Sequence, residues 1–296
     1  MRTRQSGIAF LLVLWLLALL AIVLGAFALL ARSERLMARQ TFEGAKARYA
    51  AEAGISQAVY ALSWPDPAQR WMPDGRVYTF QFDDAEIEIE ITDETGKLDL
   101  NQADQEILTR FFEVHGLETV DASALAAAVI DFRDPDDLIT PGGAEDDDYE
   151  AAGLPYGAKD APFDLVSEVQ QVLGMSYALY QEIEPSLTVW SMQARPNPAF
   201  APVDVLQAMP GMDALLAQQA LAMRLAYDPT SGLMPDVLPD GSPLVTVGGS
   251  GTYTVQSRER LPNGAWAALD TTIRMAAVPL SGSAYTVLRW QDGSFN

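Results

Sequence analysis

The chain has 296 residues, and 40 acidic side chains against 19 Lys and Arg give it a formal net charge of −21. Such a surface repels nucleic acid and anionic lipid and favours cations and basic partners. The absence of cysteine excludes disulfide frameworks and thiolate metal sites, and a single histidine, His115, excludes His-rich metal sites and argues against a Ser-His-Asp enzyme. We therefore expect a protein without catalytic activity.

The N-terminus predicts a membrane-spanning helix. From Ile8 to Ala31 there is no charged residue, and Leu, Ala and Val predominate. Roughly 20 apolar helical residues span the hydrocarbon core of a bilayer, so this stretch is long enough to cross it. The polar segment before it, residues 1–7, contains two arginines and no acid. Arginines lie on both sides of the apolar run, so their number alone does not fix the orientation.

Three interpretations of this N-terminus compete. Ala26-Phe27-Ala28 matches a signal peptidase site, but the apolar run exceeds the roughly 7–15 residues of the apolar region in a signal peptide. A plain signal anchor is the second interpretation. The third follows from a resemblance, because a short basic leader, a Gly and then a long apolar helix resemble the N-terminus of type IV prepilins. That resemblance implies cleavage between Gly7 and Ile8 by prepilin peptidase and N-methylation of Ile8.

One difference from most pilins, at the fifth mature position, points to a particular subgroup of the family. Pilins usually carry Glu at the fifth mature position, where this chain has Leu12. The family role of that Glu is to meet the N-terminal ammonium of the subunit already in the filament. The first subunit has no such partner, and burying an unpaired carboxylate costs several kcal/mol. In lacking this Glu the chain resembles the GspK-type minor pseudopilins of type II secretion systems.

The N-terminal helix is predicted to continue beyond the membrane. Ala47, Ala51, Ile55, Ala58 and Leu62 recur at spacings that place them on one helical face. Prolines 65 and 67 are then expected to end the helix. An ordinary amphipathic helix after an anchor has the same pattern, so periodicity does not distinguish it from a pilin helix.

Strand patterns flank a long helical segment. Residues 77–82 and 86–91 alternate with period two and predict a hairpin turning at Asp83 and the residue after it. Residues 97 to about 234 have mainly helical patterns. After Gly241 strands are predicted at 244–247, 252–256, 268–275 and 284–290, with a hairpin turn at 261–264. Because two strands alone make a poor domain, we expect the early and late strands to complete one sheet.

Two stretches of the helical segment resemble helix–hairpin–helix modules. Residues 98–108 and 197–206 each have an Asn near the start and then a helical apolar pattern, and Met209-Pro-Gly211 resembles the hairpin turn. Such modules often bind nucleic acid, but these stretches are acidic, whereas phosphate neutralisation requires Lys and Arg. A packed helical scaffold is therefore the preferred interpretation.

Residues 131–150 are the strongest candidate for a binding site. They contain nine acidic residues and one arginine around a Gly-Gly pair. Carboxylate oxygens on a flexible loop suit Ca²⁺, although the spacing is not that of an EF-hand. A solvated acidic loop is the alternative, and the usual meaning of a run of charge. The pattern D-x-x-D-x-D-D followed by G-G-A-E-D resembles the calcium-carrying segment of GspK-type proteins, which implies a structural Ca²⁺ held by Asp134, Asp136, Glu145, Asp146 and Asp148.

These features together predict an α+β fold, in which a long pilin-type helix packs on an antiparallel sheet with a large inserted helical domain. The predicted units are a leader (1–7), a transmembrane segment (8–31), a periplasmic part of the helix (32–64), a sheet domain (65–96 and 241–296) and the insertion (97–240).

The resemblance implies a non-enzymatic minor pseudopilin of the bacterial inner membrane, with its C-terminal domain in the periplasm. Such a protein helps to initiate and caps the type II secretion pseudopilus, and its partners are prepilin peptidase and the I-type and J-type minor pseudopilins. The alternatives are a minor pilin of a surface type IV pilus and a signal-anchored periplasmic calcium-binding protein. A membrane-anchored metal-dependent hydrolase is disfavoured, since abundant carboxylates without a cleft or a motif indicate little.

Overall fold

A single long helix forms the N-terminal part of the molecule. The computed structural model describes residues 6–83, 85–231, 237–238, 241–246, 248–261, 264–276 and 283–293; residues 1–5 of the predicted leader lie outside this part. Helix α1 runs without interruption over Ser6–Leu62, a length of about 85 Å at ~1.5 Å per residue. It ends before Pro65, as predicted, because proline lacks the N–H that a continuing helix needs.

Five antiparallel strands form the sheet on which α1 packs. In chain order the strands of the molecule are β1 (Asp74–Phe82), β2 (Ala85–Asp93), β3 (Leu98–Asp99), β4 (Leu187–Thr188), β5 (Thr252–Arg260), β6 (Trp266–Met275) and β7 (Tyr285–Asp292). The order within the large sheet is β1-β2-β5-β6-β7. Ile87 pairs with Glu259 and Asp93 with Tyr253, so strands far apart in sequence are neighbours. The predicted α+β fold is confirmed.

The upper half of α1 covers one face of this sheet. The Glu-Ile alternation of β2 places Ile87, Ile89 and Ile91 in the core under the helix, because successive strand residues face opposite sides. At Gly54 the helix approaches β5 so closely that a Cβ would lie 2.1 Å from the Ser257 hydroxyl oxygen. A glycine is therefore required at this crossing.

A helical region connects β2 to β5. Its helices are α2 (Gln105–Val114), α3 (Thr119–Arg133), α4 (Asp146–Ala151), α5 (Tyr177–Ile183), α6 (Val203–Ala208) and α7 (Ala214–Ala226). Its core is separate from the one under α1 and includes the buried rings of Phe111, Phe112, Phe132 and Tyr149. Strands β3 and β4 pair in parallel within this region, a pairing that the sequence did not predict.

Buried polar groups join the helical region to the sheet. Just after β2, the Lys97 ammonium lies 2.8 Å from a Glu94 carboxylate oxygen. The Thr254 hydroxyl of β5 donates to the same carboxylate at 2.6 Å. At the other end, the buried Arg224 guanidinium of α7 donates to the Asp74 carbonyl of β1 at 3.3 Å. Burial makes such groups costly unless they are paired, so these contacts define how the two regions fit together.

One predicted strand is wrong. Leu244 and Val245 are both buried, and in residues 241–246 the chain forms only a single bridge, between Pro243 and Val237. Proline lacks the N–H that a ladder uses, so the chain at Pro243 cannot take a place inside a sheet. The last predicted residue, Val247, lies outside the described residues.

Candidate functional site

The acidic candidate site lies between the end of α3 and the start of α4. Asp131, in the last turn of α3, is fully buried. Its two carboxylate oxygens accept hydrogen bonds from the Thr140 backbone N–H at 3.1 and 3.2 Å. The loop therefore folds back over the helix end and brings residues 140–145 close to the carboxylates that precede them.

Two glycines leave the space that this arrangement needs. A Cβ on Gly143 would lie 1.8 Å from an oxygen of Asp131, and a Cβ on Gly157 would lie 1.8 Å from an oxygen of Asp146. Any larger residue at either position would therefore displace a carboxylate. The backbone of the two segments approaches the acidic groups at the closest distance that the chain permits.

Two carboxylate oxygens in this cluster are buried without a hydrogen-bond partner among the described residues. They are Oδ1 of Asp134 and Oε1 of Glu145. Burial, together with the charges of Asp131, Asp134, Asp160 and Asp137, raises the pKa of Glu145 to about 7. Burial also raises the pKa of Asp134, with Asp136 and Asp131 adding to the effect. The folded chain thus concentrates negative charge that water reaches poorly.

The nearest cationic side chains are engaged elsewhere. The Arg133 guanidinium donates to the carbonyl groups of Leu100 and Ala103. The Lys159 ammonium lies 2.8 Å from Asp164 and 2.7 Å from Glu168. Neither side chain forms an ion pair with the acidic cluster, and the charge of Arg133 offsets the raised pKa of Asp134 only in part. Solvent or a bound cation is left to balance the remaining negative charge.

The five predicted ligands differ in their surroundings. Glu145 is buried and Asp134 half-buried, whereas Asp136 and Asp146 are exposed. Asp148 already has a structural role, because its carboxylate accepts a hydrogen bond from the Glu145 backbone N–H at 3.1 Å, at the start of α4. In the described part of the chain, no three carboxylate or imidazole groups lie close enough together to hold one ion. The unpartnered oxygens of Asp134 and Glu145 are nevertheless hard donors of the kind that Ca²⁺ takes as ligands.

The sequence prediction omitted three carboxylates that influence this cluster. Asp131 and Asp137 are in the acidic run but were not chosen as ligands, and Asp160 lies beyond it. All three contribute to the raised pKa of Glu145. Gly157, three residues before Asp160, packs against the Asp146 carboxylate. This glycine is the one local sign in the sequence that residues 157–160 lie beside the acidic cluster.

The predicted processing site is at the start of α1. Residues 6 and 7 and Ile8 are within the helix, and the side chains of Ile8 and Leu12 are 67% and 65% exposed. From Ile8 to Phe42 every large apolar side chain of α1 is exposed. Among the described residues, α1 is the one helix long and apolar enough to cross a membrane. So large an apolar surface requires lipid or other protein around it.

Comparisons with known proteins find similarity to one family, in the end of β2 and the first part of the helical region. Residues 90–193 match the family described as "Type II secretion system (T2SS), protein K". The chain is 34% identical over 208 residues to type II secretion system protein K of Klebsiella pneumoniae. The aligned region covers 62% of this chain and 63% of the relative. The corresponding protein of Pectobacterium carotovorum is 27% identical over 206 residues, with 62% and 63% covered. The matched region thus spans less than two thirds of these relatives' length.

The fold has a counterpart among solved structures. A chain in the GspK-GspI-GspJ complex from the type 2 secretion system of enterotoxigenic Escherichia coli superimposes with a TM-score of 0.52 at 19% identity. The match covers 90% of this chain and 99% of that one. At this identity the match shows the shared fold alone. The resemblance to the protein K family is confirmed.

Proposed function

We propose that this chain, similar in sequence and fold to type II secretion system protein K, is a minor pseudopilin that helps to initiate and caps the secretion pseudopilus. The observation that carries the proposal is the family match over residues 90–193 in a chain that also begins with a long, exposed apolar helix. The apolar part of α1 would anchor the subunit in the inner membrane and then pack against other pilin-type helices. The role is assembly, and we expect no catalysis.

The proposed partners are other minor pseudopilins. The similar solved structure is a complex that contains GspI and GspJ beside GspK. By analogy, this chain would join I-type and J-type subunits in a tip complex, with its globular part in the periplasm. Prepilin peptidase would first remove residues 1–7 and methylate Ile8. Leu12, in place of the usual Glu, suits a subunit that has no earlier ammonium to meet.

A structural Ca²⁺ is the second part of the proposal. Asp134 and Glu145 would supply their unpartnered oxygens, and Asp136, Asp146 and Asp148 are the further candidate ligands, so that the end of α3 is tied to the start of α4. Bound Ca²⁺ would supply positive charge that offsets the repulsion between these carboxylates. Because no three of them converge as they stand, binding would draw the loop carboxylates together.

The N-terminal sequence of protein purified from membranes tests the processing step. We expect mature protein to begin at N-methylated Ile8. A start at Leu29 would mean that signal peptidase cuts after Ala28, and the pilin-type role would be wrong. In a strain lacking this chain, export of type II substrates should stop and surface pili should remain. Loss of surface pili with normal export would instead support the minor pilin of a surface type IV pilus.

A further inference from the structure

The single histidine of the chain lies at the end of α2, in contact with two other helices. His115 follows the last residue of α2, and its side chain is 7% exposed. The ring packs edge-on against Phe111, with 4.7 Å between the ring centroids. Few orientations are open to an imidazole that is packed in this way, so its two nitrogens have fixed neighbours.

Each ring nitrogen faces a different carboxylate. Nδ1 lies at hydrogen-bond distance, 3.0 Å, from an oxygen of Glu182 in α5. Nε2 lies 3.3 Å from Oδ2 of Asp204 in α6, within ion-pair distance but outside hydrogen-bond geometry. Asp204 is further held by the Ser186 hydroxyl, which donates to Oδ2 at 2.5 Å, and by the Val205 backbone N–H, which donates to Oδ1 at 2.9 Å. Burial works to raise the pKa of Asp204, but the polar contacts with His115 and Ser186 outweigh it and lower that pKa.

A neutral imidazole cannot satisfy both neighbours. It carries one N–H, so its other nitrogen would present a lone pair to a carboxylate, whereas an imidazolium turns an N–H toward each carboxylate and carries the charge that attracts both. The end of α2 also favours a positive charge, because its backbone carbonyl groups point toward that end. The two carboxylates lie at opposite edges of the ring, which prevents them from sharing one metal ion with it. The geometry thus fits a proton and does not fit a metal.

No further charge offsets this pair. Glu182 from α5 and Asp204 from α6 are the charged groups that act on the ring, with the Ser186 hydroxyl beside them. Burial works to lower the pKa of His115, but the polar contacts and charges of Asp204 and Glu182 outweigh it, and the pKa is raised above 6.5. The imidazolium is therefore the form that this packing stabilises.

We propose that His115 is a pH-sensitive link, which holds α2 to α5 and α6 while it is doubly protonated and releases them when it loses a proton. A group with a raised folded-state pKa stabilises the fold fully below its ordinary value, and this stabilisation is lost as the pH rises through the folded value. The release would reach further, since α6 leads into α7, and Arg224 of α7 contacts β1. The link is independent of the proposed role in secretion.

The titration of His115 in the full-length protein tests the link directly. With ¹³C-labelled histidine in detergent micelles, the chain gives one imidazole signal, because it has one His. We expect a midpoint above 6.5, the ordinary value, and a downward shift in Asp204→Asn and in Glu182→Gln. Glu106→Gln, also in α2 but paired with Arg110, should leave the midpoint unchanged. A wild-type midpoint at or below 6.5 would overturn the proposal.

Hydrogen exchange separates a link between helices from a local pKa shift. We expect amide protection factors in α5 and α6 to be severalfold lower at about pH 8.5 than at about pH 5.5, on either side of the imidazole transition. His115→Gln should show the lower protection at both pH values, because an amide donates from one side and carries no charge. Equal protection of the wild type at both pH values would show that no release occurs, even with a raised midpoint.

Discussion

Glu145→Gln tests whether the folded chain concentrates charge at the acidic cluster. Glu145 is 6% exposed, and its pKa is raised from 4.5 to about 7. In chelator the folded state therefore keeps a proton that the unfolded state releases between these two values. The free energy of unfolding should fall as the pH rises across this window and level off above it. Glutamine has the same shape and no charge, so it should remove this part of the fall.

The size of the effect follows from the two pKa values. One pKa unit corresponds to about 1.4 kcal/mol, so the change from 4.5 to about 7 corresponds to at most about 3.5 kcal/mol for Glu145. The chain has a net charge of −21, and general repulsion also lowers stability at high pH. The quantity to measure is thus the difference between wild type and variant, obtained from urea unfolding in chelator at about pH 5 and about pH 8. Glu150→Gln, an exposed acid of α4, is the matched control.

Calcium should reverse the order of the two proteins. In chelator at about pH 8 the variant is expected to be the more stable, by up to about 3.5 kcal/mol. At a thousandfold excess of Ca²⁺ over the dissociation constant the wild type should gain about 4.1 kcal/mol, which exceeds that difference. Below about pH 7 protonation of Glu145 competes with the ion, so affinity should fall by up to about tenfold per pH unit. Equal slopes of stability against pH for wild type and variant would refute the raised pKa. Identical unfolding with Ca²⁺ and with chelator would leave a solvated acidic loop as the interpretation.

Three further changes have defined outcomes. Gly143→Ala should destabilise the protein by a few kcal/mol in thermal unfolding, because the added Cβ would overlap the Asp131 carboxylate. Gly44→Ala is the control: a Cβ added at this position of α1 would have no other atom within 4 Å. This control should be neutral or stabilising by up to about 1 kcal/mol. Arg224→Met should cost about 3 kcal/mol or more, since three backbone carbonyl groups lose a buried donor; no loss of stability would contradict that packing role. Leu12→Glu should bring no gain in export or in filament incorporation at matched expression, and better incorporation along the filament would contradict a tip position.

The sequence by itself determined the elements whose signal is local. The uncharged run from Ile8, the alanine-rich face around Ala51 and the prolines after Leu62 specify α1, because helix length, periodicity and termination are properties of neighbouring residues. The alternation in β2 likewise specifies a strand with one buried face. The family resemblance depended on short motifs of this kind, at the N-terminus and in the acidic run.

The tertiary structure decided what depends on distant residues. Nothing local in β2 indicates that its partner is β5, more than 150 residues later; Lys97 and Thr254 meet only once that pairing has formed. The strand predicted around Leu244 failed for the same reason, since a strand needs a partner to pair with, and in residues 241–246 only Pro243 bridges to another residue, Val237. The sequence gives no signal for the contacts of His115, because its two carboxylate neighbours come from helices about 70 and 90 positions away, and only packing brings three such groups together.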